Sequence, residues 1–188
     1  DKLLFAGPSN QPFRFPDYDV KVIDGRGAVN TDYGPVGLKL EGEGKLRGGF
    51  SGIAAAIAPQ FEADGCKGER ASLYGDVKTS GERLTFSGPM RLAALACRAT
   101  GTRLDASGVQ IDATFDPAFD GAEGKLSLAA GQLVAGAQRV RKTGGEVQFT
   151  FRKRALTASF DLGLDGYEGP QARLATLQAK GAGRTQAM

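Results

Sequence analysis

The chain contains no histidine and no tryptophan. Histidine is the commonest general base near neutral pH and the commonest metal ligand, so its absence removes Ser–His and Cys–His nucleophile pairs and imidazole metal sites together. There are only two cysteines, Cys66 and Cys97, against the about four ligands that a structural zinc site requires. An even count leaves two readings open: one disulfide, or two buried thiols acting as small apolar side chains. No apolar run approaches the roughly 18 residues of a membrane-spanning helix; those at 3–6 and 53–58 are far shorter. No G-x-x-x-x-G-K-[ST] phosphate loop occurs, and "GEGKLRG" has the wrong spacing for one. A net charge of +3 supplies no large field to draw in nucleic acid. Because the 188 residues start at Asp1 without methionine, they are expected to be a piece of a longer protein, with any secretion signal or anchor outside them.

What is abundant is glycine. The 28 glycines among 188 residues are about twice the ordinary usage of about 7%. They follow no collagen-like period, which assigns them to turns, bulges and close backbone approaches. Between them the hydrophobicity repeats every two residues. Val36, Leu38 and Leu40 alternate with polar neighbours, as do Leu73 and Val77, Leu84 and Phe86, and Val109, Ile111 and Phe115. The same holds for Leu126 and Leu128, for Val147, Phe149 and Phe151, and for the long run Leu156 to Leu164. In a strand, residues i and i+2 share a face, so each segment has one dry and one wet side. Such segments belong to antiparallel sheets covered on one side.

Turn signals at "DYGP", "RGG", "SGER", "DPAFDG" and "TGG" separate the runs and predict an all-β meander of about eleven strands. A sheet of that size is expected to curl into a trough, barrel or sandwich. Residues 1–17, with Pro8, Pro12 and Pro16, read as an extended entry segment with a short edge strand around Phe13 and Phe15. Residues 18–188 read as a single β domain. "PMRLAALACRA" and "PQARLATLQAKGAG" hold helix-friendly residues, but each fits an irregular strand better. In residues 37–57 the parity changes: Leu38 and Leu40 are even, whereas Ile53, Ala55 and Ile57 are odd. One inserted residue would return them to the dry face and bend the strand.

Chemistry-bearing clusters are sparse. Asp17 with Asp19, and Asp116 with Asp120, lack the ligand series of an EF-hand and read as turn residues. No particular carboxylate pair points to glycoside hydrolysis, and no serine has a motif partner. The basic residues Arg139, Arg141, Lys142, Arg152, Lys153 and Arg154 are expected to gather near one hairpin. They could attract anionic headgroups or a partner there, or form a solvated edge that resists aggregation.

The repeated phrase of strand, glycine turn and strand occurs in "GLKLEGEGKL", "RLTFSGPMRLAALAC", "GVQIDATFDPAFDGAEGKLSLAAG" and "GGEVQFTFRKRALTASFDLGLDG". From Asp24 onward it resembles the β-stranded regions of the AsmA-like superfamily, most closely the YdbH type. That resemblance implies an antiparallel meander curled into an open, U-shaped trough with little or no helix. It also implies a non-enzymatic role without cofactors: a periplasmic segment of an inner-membrane-anchored protein that carries phospholipid toward the outer membrane. Partners would be phospholipid, and membrane components reached through regions outside this chain. The dry-parity residues would line the groove: Leu38, Leu40, Leu73, Val77, Leu84, Phe86, Val109, Ile111, Phe115, Leu126, Leu128, Val147, Phe149, Phe151, Phe160 and Leu162. The periplasmic setting favours a Cys66–Cys97 disulfide. From alternation alone, a closed sandwich or barrel core fits the same residues equally well. The competing roles are a structural or adhesive envelope module with a dry core, such as a β-solenoid, and a carbohydrate-active enzyme with two facing carboxylates.

Overall fold

Period-two alternation becomes strand along nearly its whole length. The computed structural model describes residues 14–186, and these form one antiparallel sheet of eleven strands with no helix. The first six strands are β1 (Asp19–Thr31), β2 (Gly34–Lys45), β3 (Ser51–Ala63), β4 (Cys66–Ser80), β5 (Arg83–Cys97) and β6 (Thr102–Phe115). There follow β7 (Gly121–Ala130), β8 (Leu133–Ala135), β9 (Gln138–Arg152), β10 (Ala155–Glu168) and β11 (Arg173–Gln186). Both helix-friendly segments are strand, in β5 and β11. The antiparallel hairpins rule out a parallel β-solenoid.

Spatial order follows chain order, and β1 and β11 are the two edges. β7 and β8 share one lane: their register with β6 and β9 continues unchanged across Gly131 and Gln132. There Gly131 N donates to Ala106 O and Asp105 N donates to Gln132 O, both at 2.9 Å. Eleven strands therefore occupy ten lanes, which span roughly 43 Å at about 4.8 Å per lane.

Tight turns set each register. At "DYGP" the Thr31 hydroxyl donates to Gly34 O at 2.7 Å and accepts from Tyr33 N at 3.2 Å, the local bonding that favours Ser, Thr and Asp in turns. The β9–β10 turn uses Lys153 (φ 51°) and Arg154 (φ 61°), both left-handed, in the geometry that usually selects Asn-Gly. The K153N/R154G variant is therefore expected to gain about 1 kcal/mol of stability by relieving left-handed strain, measurable as a higher urea midpoint at unchanged slope. An unchanged midpoint would show that the turn carries no strain.

Three expectations are corrected. "TGG" is no turn: Gly144 and Gly145 lie inside β9, opposite Gly163 and Leu162 of β10. Phe15 is in no strand; its ring packs edge-on against Phe119 at 5.7 Å. Phe13 lies outside the described residues. Finally, no inserted residue returns Ile53, Ala55 and Ile57 to the dry face. The β2–β3 register runs without a shift from Glu43–Ser51 to Gly37–Ile57, so these three pair with Glu41, Lys39 and Gly37. Gly42 and Gly52 hold that register. A Cβ on Gly42 would come within 2.6 Å of Gly52 Cα, so a one-residue slip has no room for the isoleucine side chain. The bulge lies instead on edge strand β1, between Val22 and Gly25, where Asp24 has φ 48°. Arg26 holds the Asp24 carboxyl below the usual carboxylate range, with Lys39 adding to the effect. Such a bulged, ion-paired edge resists pairing with another chain.

Candidate apolar binding face

Register partners in an antiparallel pair point to the same side, so the ladder shows which residues share a face. Four rows run across the strands. In the first, Leu84 pairs with Phe115, and Phe151 follows across Ala122. The second holds Val77, Phe86 and Phe149. The third holds Leu40, Ile111, Leu126, Val147 and Phe160, and the fourth Leu38, Leu73, Val109, Leu128 and Leu162. Every residue named as a candidate lining thus lies on one face. The second, third and fourth rows cross all ten lanes without one polar side chain, their remaining members being Gly, Ala, Val and Met. Three leucines outside the named lining extend this face: Leu156 and Leu164, the ends of the alternating run on β10, and Leu177, opposite Leu164 on β11. They follow the same parity, so the signal was present.

Among the described residues nothing covers the face. Broad contacts join only neighbouring strands, and no large side chain among the described residues is fully buried. Phe151 and Phe160 are each 38% exposed, and Leu38 is 44% exposed. The chain exposes 13078 Å², against roughly 8,600 Å² for a compact protein of its mass. The described residues therefore form neither a closed sandwich nor a hydrogen-bonded barrel.

Glycine and phenylalanine together shape the surface. Phe61 faces Gly68, Phe149 faces Gly124 and Phe160 faces Gly181 across adjacent strands. A Cβ on Gly68 or Gly181 would strike the ring, and one on Gly124 would come within 3.1 Å of it. Phe50 and Phe86 lie over Gly42 and Gly75 in the same way, with ring atoms 2.7 Å from the would-be Cβ. Rings laid flat on glycine backbone restore the side-chain packing that glycine lacks. They keep the face smooth instead of standing upright across it. At one margin Phe115, Phe119 and Phe15 form an aromatic cluster, with Phe115 and Phe119 centroids 6.0 Å apart.

The opposite face carries the charge. Lys21 pairs with Glu43 at 2.9 Å, Lys39 with Glu41 at 2.8 Å and Lys180 with Asp161 at 2.8 Å, and Lys125 meets Glu146. Lys180, assisted by Gln178, holds the Asp161 carboxyl below its ordinary range. Solvent screens these exposed pairs, so they add little stability; their main effect is to fix which face is wet. Ile53, Ile57 and Tyr74 are the exceptions, exposed on this side at 38%, 56% and 55%.

The basic residues do not gather at one hairpin. Arg152, Lys153 and Arg154 sit at the β9–β10 turn, while Arg139, Arg141 and Lys142 sit at the far end of β9, at least roughly 30 Å away at about 3.4 Å per residue. Arg152 joins a network with Arg83, Asp116 and Glu123, at 2.9 to 3.5 Å. Asp116 is thus an ion-pair partner at a turn. Cys66 and Cys97 are register partners at the end of the β4–β5 pair, joined by a disulfide with Cα atoms 4.0 Å apart. No family model matches the chain, and no curated protein or solved structure matches it.

Proposed function

We propose that this chain is a non-enzymatic segment of a lipid-transfer protein, whose uncharged face shields phospholipid acyl chains between the inner and outer membranes. The observation that carries the reading is the set of three rows that cross every lane without a polar side chain and, among the described residues, without a covering layer. The resemblance to AsmA-like proteins supports it, and the periplasm is the compartment it implies. Exposing acyl chain to water costs about 0.8 kcal/mol per CH₂, so one sixteen-carbon chain costs on the order of 13 kcal/mol. A continuous apolar surface offsets most of that while leaving the headgroup in water.

The test is site-specific photocrosslinking to lipid in cells. A crosslinker at Leu126 should capture phospholipid, and one at the neighbouring Lys125, on the charged face, should not. Phe149→Asp, which sets a charge beside Leu126, should reduce capture at Leu126 by at least about tenfold, since an unpaired carboxylate resists transfer to hydrocarbon. Gln148→Asp, on the other face, should leave capture intact. Equal capture at Leu126 and Lys125, or capture indifferent to Phe149→Asp, would refute the reading.

A further inference from the structure

Toward the end of the sheet away from the β9–β10 turn, the alternation of sides breaks along one line. In a regular ladder, successive residues turn their backbone groups to opposite neighbours. Here Asp105 N and Ala106 O both bond to the β7–β8 lane, through Gln132 O and Gly131 N. Arg70 on β4 (φ 48°) and Gly166 on β10 (φ 66°) lie on the same line. Beyond it the apolar side passes to the row Leu95, Leu104, Leu133 and Val140. The next row out holds Lys67, Arg103, Arg139 and Arg173, linked through Ala96, Val134 and Glu168. This row therefore lies on the opposite, charged face.

We infer that Arg103, Arg139 and Arg173 form a docking line on the charged face for an extended acidic segment of a partner protein, one that carries a carboxylate at every third residue. The inference does not depend on the lipid reading, because it uses the other side of the sheet. All three arginines are exposed, and among the described residues none is ion-paired, whereas Arg26, Arg47, Arg83 and Arg152 all are. They stand on every second lane, roughly 10 Å apart. A polyproline II chain has three residues per turn and rises about 3.1 Å per residue, so every third side chain points the same way at intervals of about 9.3 Å. That interval matches the arginine spacing. Two depressions open along the line. One, of about 470 Å³, is walled in part by Lys67, Glu69 and Arg103, and the other, of about 520 Å³, by Arg139, Glu168 and Arg173. Guanidinium forks bind carboxylates bidentately, where lysine acts as a point charge. Glu69 and Glu168 would repel a plane of anionic headgroups, while a single chain can pass with its carboxylates on the arginines. Glu168 stands between Arg139 and Arg173 and pairs with neither. It opposes an anion, and so it supplies a test of sign.

Titrating the full chain into a fluorescently labelled peptide of Glu-Pro-Pro repeats at low salt, read by anisotropy, tests the line. R139Q/R173Q should bind the peptide at least about tenfold more weakly than the unaltered chain, and Glu168→Gln about threefold more tightly. K153Q/R154Q, which removes the same charge at the other end of the sheet, should change affinity less than about twofold. A peptide of the same composition with its glutamates in one block should bind at least about fivefold more weakly than the repeat. Equal binding of the two peptides would overturn the spacing on which the inference stands. Equal losses in the two double variants would mean general charge attraction and overturn the docking line. So would no binding by the unaltered chain, or tighter binding of single-stranded RNA or of phosphatidylglycerol vesicles than of the repeat peptide. Crosslinking at Leu126 reports on the other face, so loss of one reading is distinguishable from loss of the other.

Discussion

Gly88→Val should lower the unfolding free energy by more than about 3 kcal/mol, the upper part of the range for overpacking. Gly88 and Gly75 face each other at the centre of the sheet, on β5 and β4. A Cβ on Gly88 would collide with Tyr74 O and Gly75 Cα and lie 2.9 Å from Tyr74 C. All three are backbone atoms, so no rotamer change relieves the clash. The reciprocal Cβ on Gly75 would lie 2.9 Å from Gly88 Cα and 2.7 Å from the Phe86 ring. Relief would require β4 and β5 to separate, which breaks ladder hydrogen bonds and lifts Phe86 from its seat. Gly108→Ala is the control. Gly108 has no positive φ, and the nearest atom to its would-be Cβ is Met90 O at 3.9 Å, so its effect should stay within about 0.5 kcal/mol. Urea unfolding of the two variants decides the matter. If they had equal midpoints, the close approach of β4 and β5 would carry no energetic weight.

Removing the disulfide should cost about 3.5 kcal/mol. The bond closes a separation of 31 residues, and chain-entropy scaling for such a loop gives roughly that value. It ties the open end of the β4–β5 hairpin, whose other end is the turn at residues 80–83. Its weight is greater here because an uncovered sheet buries little side chain. Among the described residues, Phe50, Ala113 and Val140 are the buried apolar side chains. A double Cys66→Ser, Cys97→Ser variant and the reduced protein should show the same loss in denaturant titration. A loss below about 1 kcal/mol would mean that the ladder alone holds this end.

The all-β character and the order of strands were legible in residues, because alternation with period two is a local property. Val109, Ile111 and Phe115 against Gln110, Asp112 and Thr114 need no tertiary information to be read as one dry and one wet side. The face membership of the named lining followed from the same signal, since short turns join neighbours in order and so preserve parity from strand to strand. Residues 37–57 show where this failed. Hydrophobicity alone would send Ile53 and Ile57 to the dry face, but the register is held by Gly42 against Gly52, a backbone contact that no side-chain pattern records. "TGG" failed for a related reason. Glycine marks both turns and close strand approaches, and only the position of the partner strand distinguishes them.

The sequence by itself determined the strand content, the meander and the composition of the dry face, because each depends on residues within a few positions of one another. The tertiary structure alone decided that no second layer of the described residues covers that face, that β7 and β8 share a lane, and that Arg103 and Arg173 stand in line with Arg139 while Arg152 does not. Those outcomes depend on which strands meet and in what register. Register is set by backbone approach at glycines and by turn geometry, and it brings together residues dozens of positions apart.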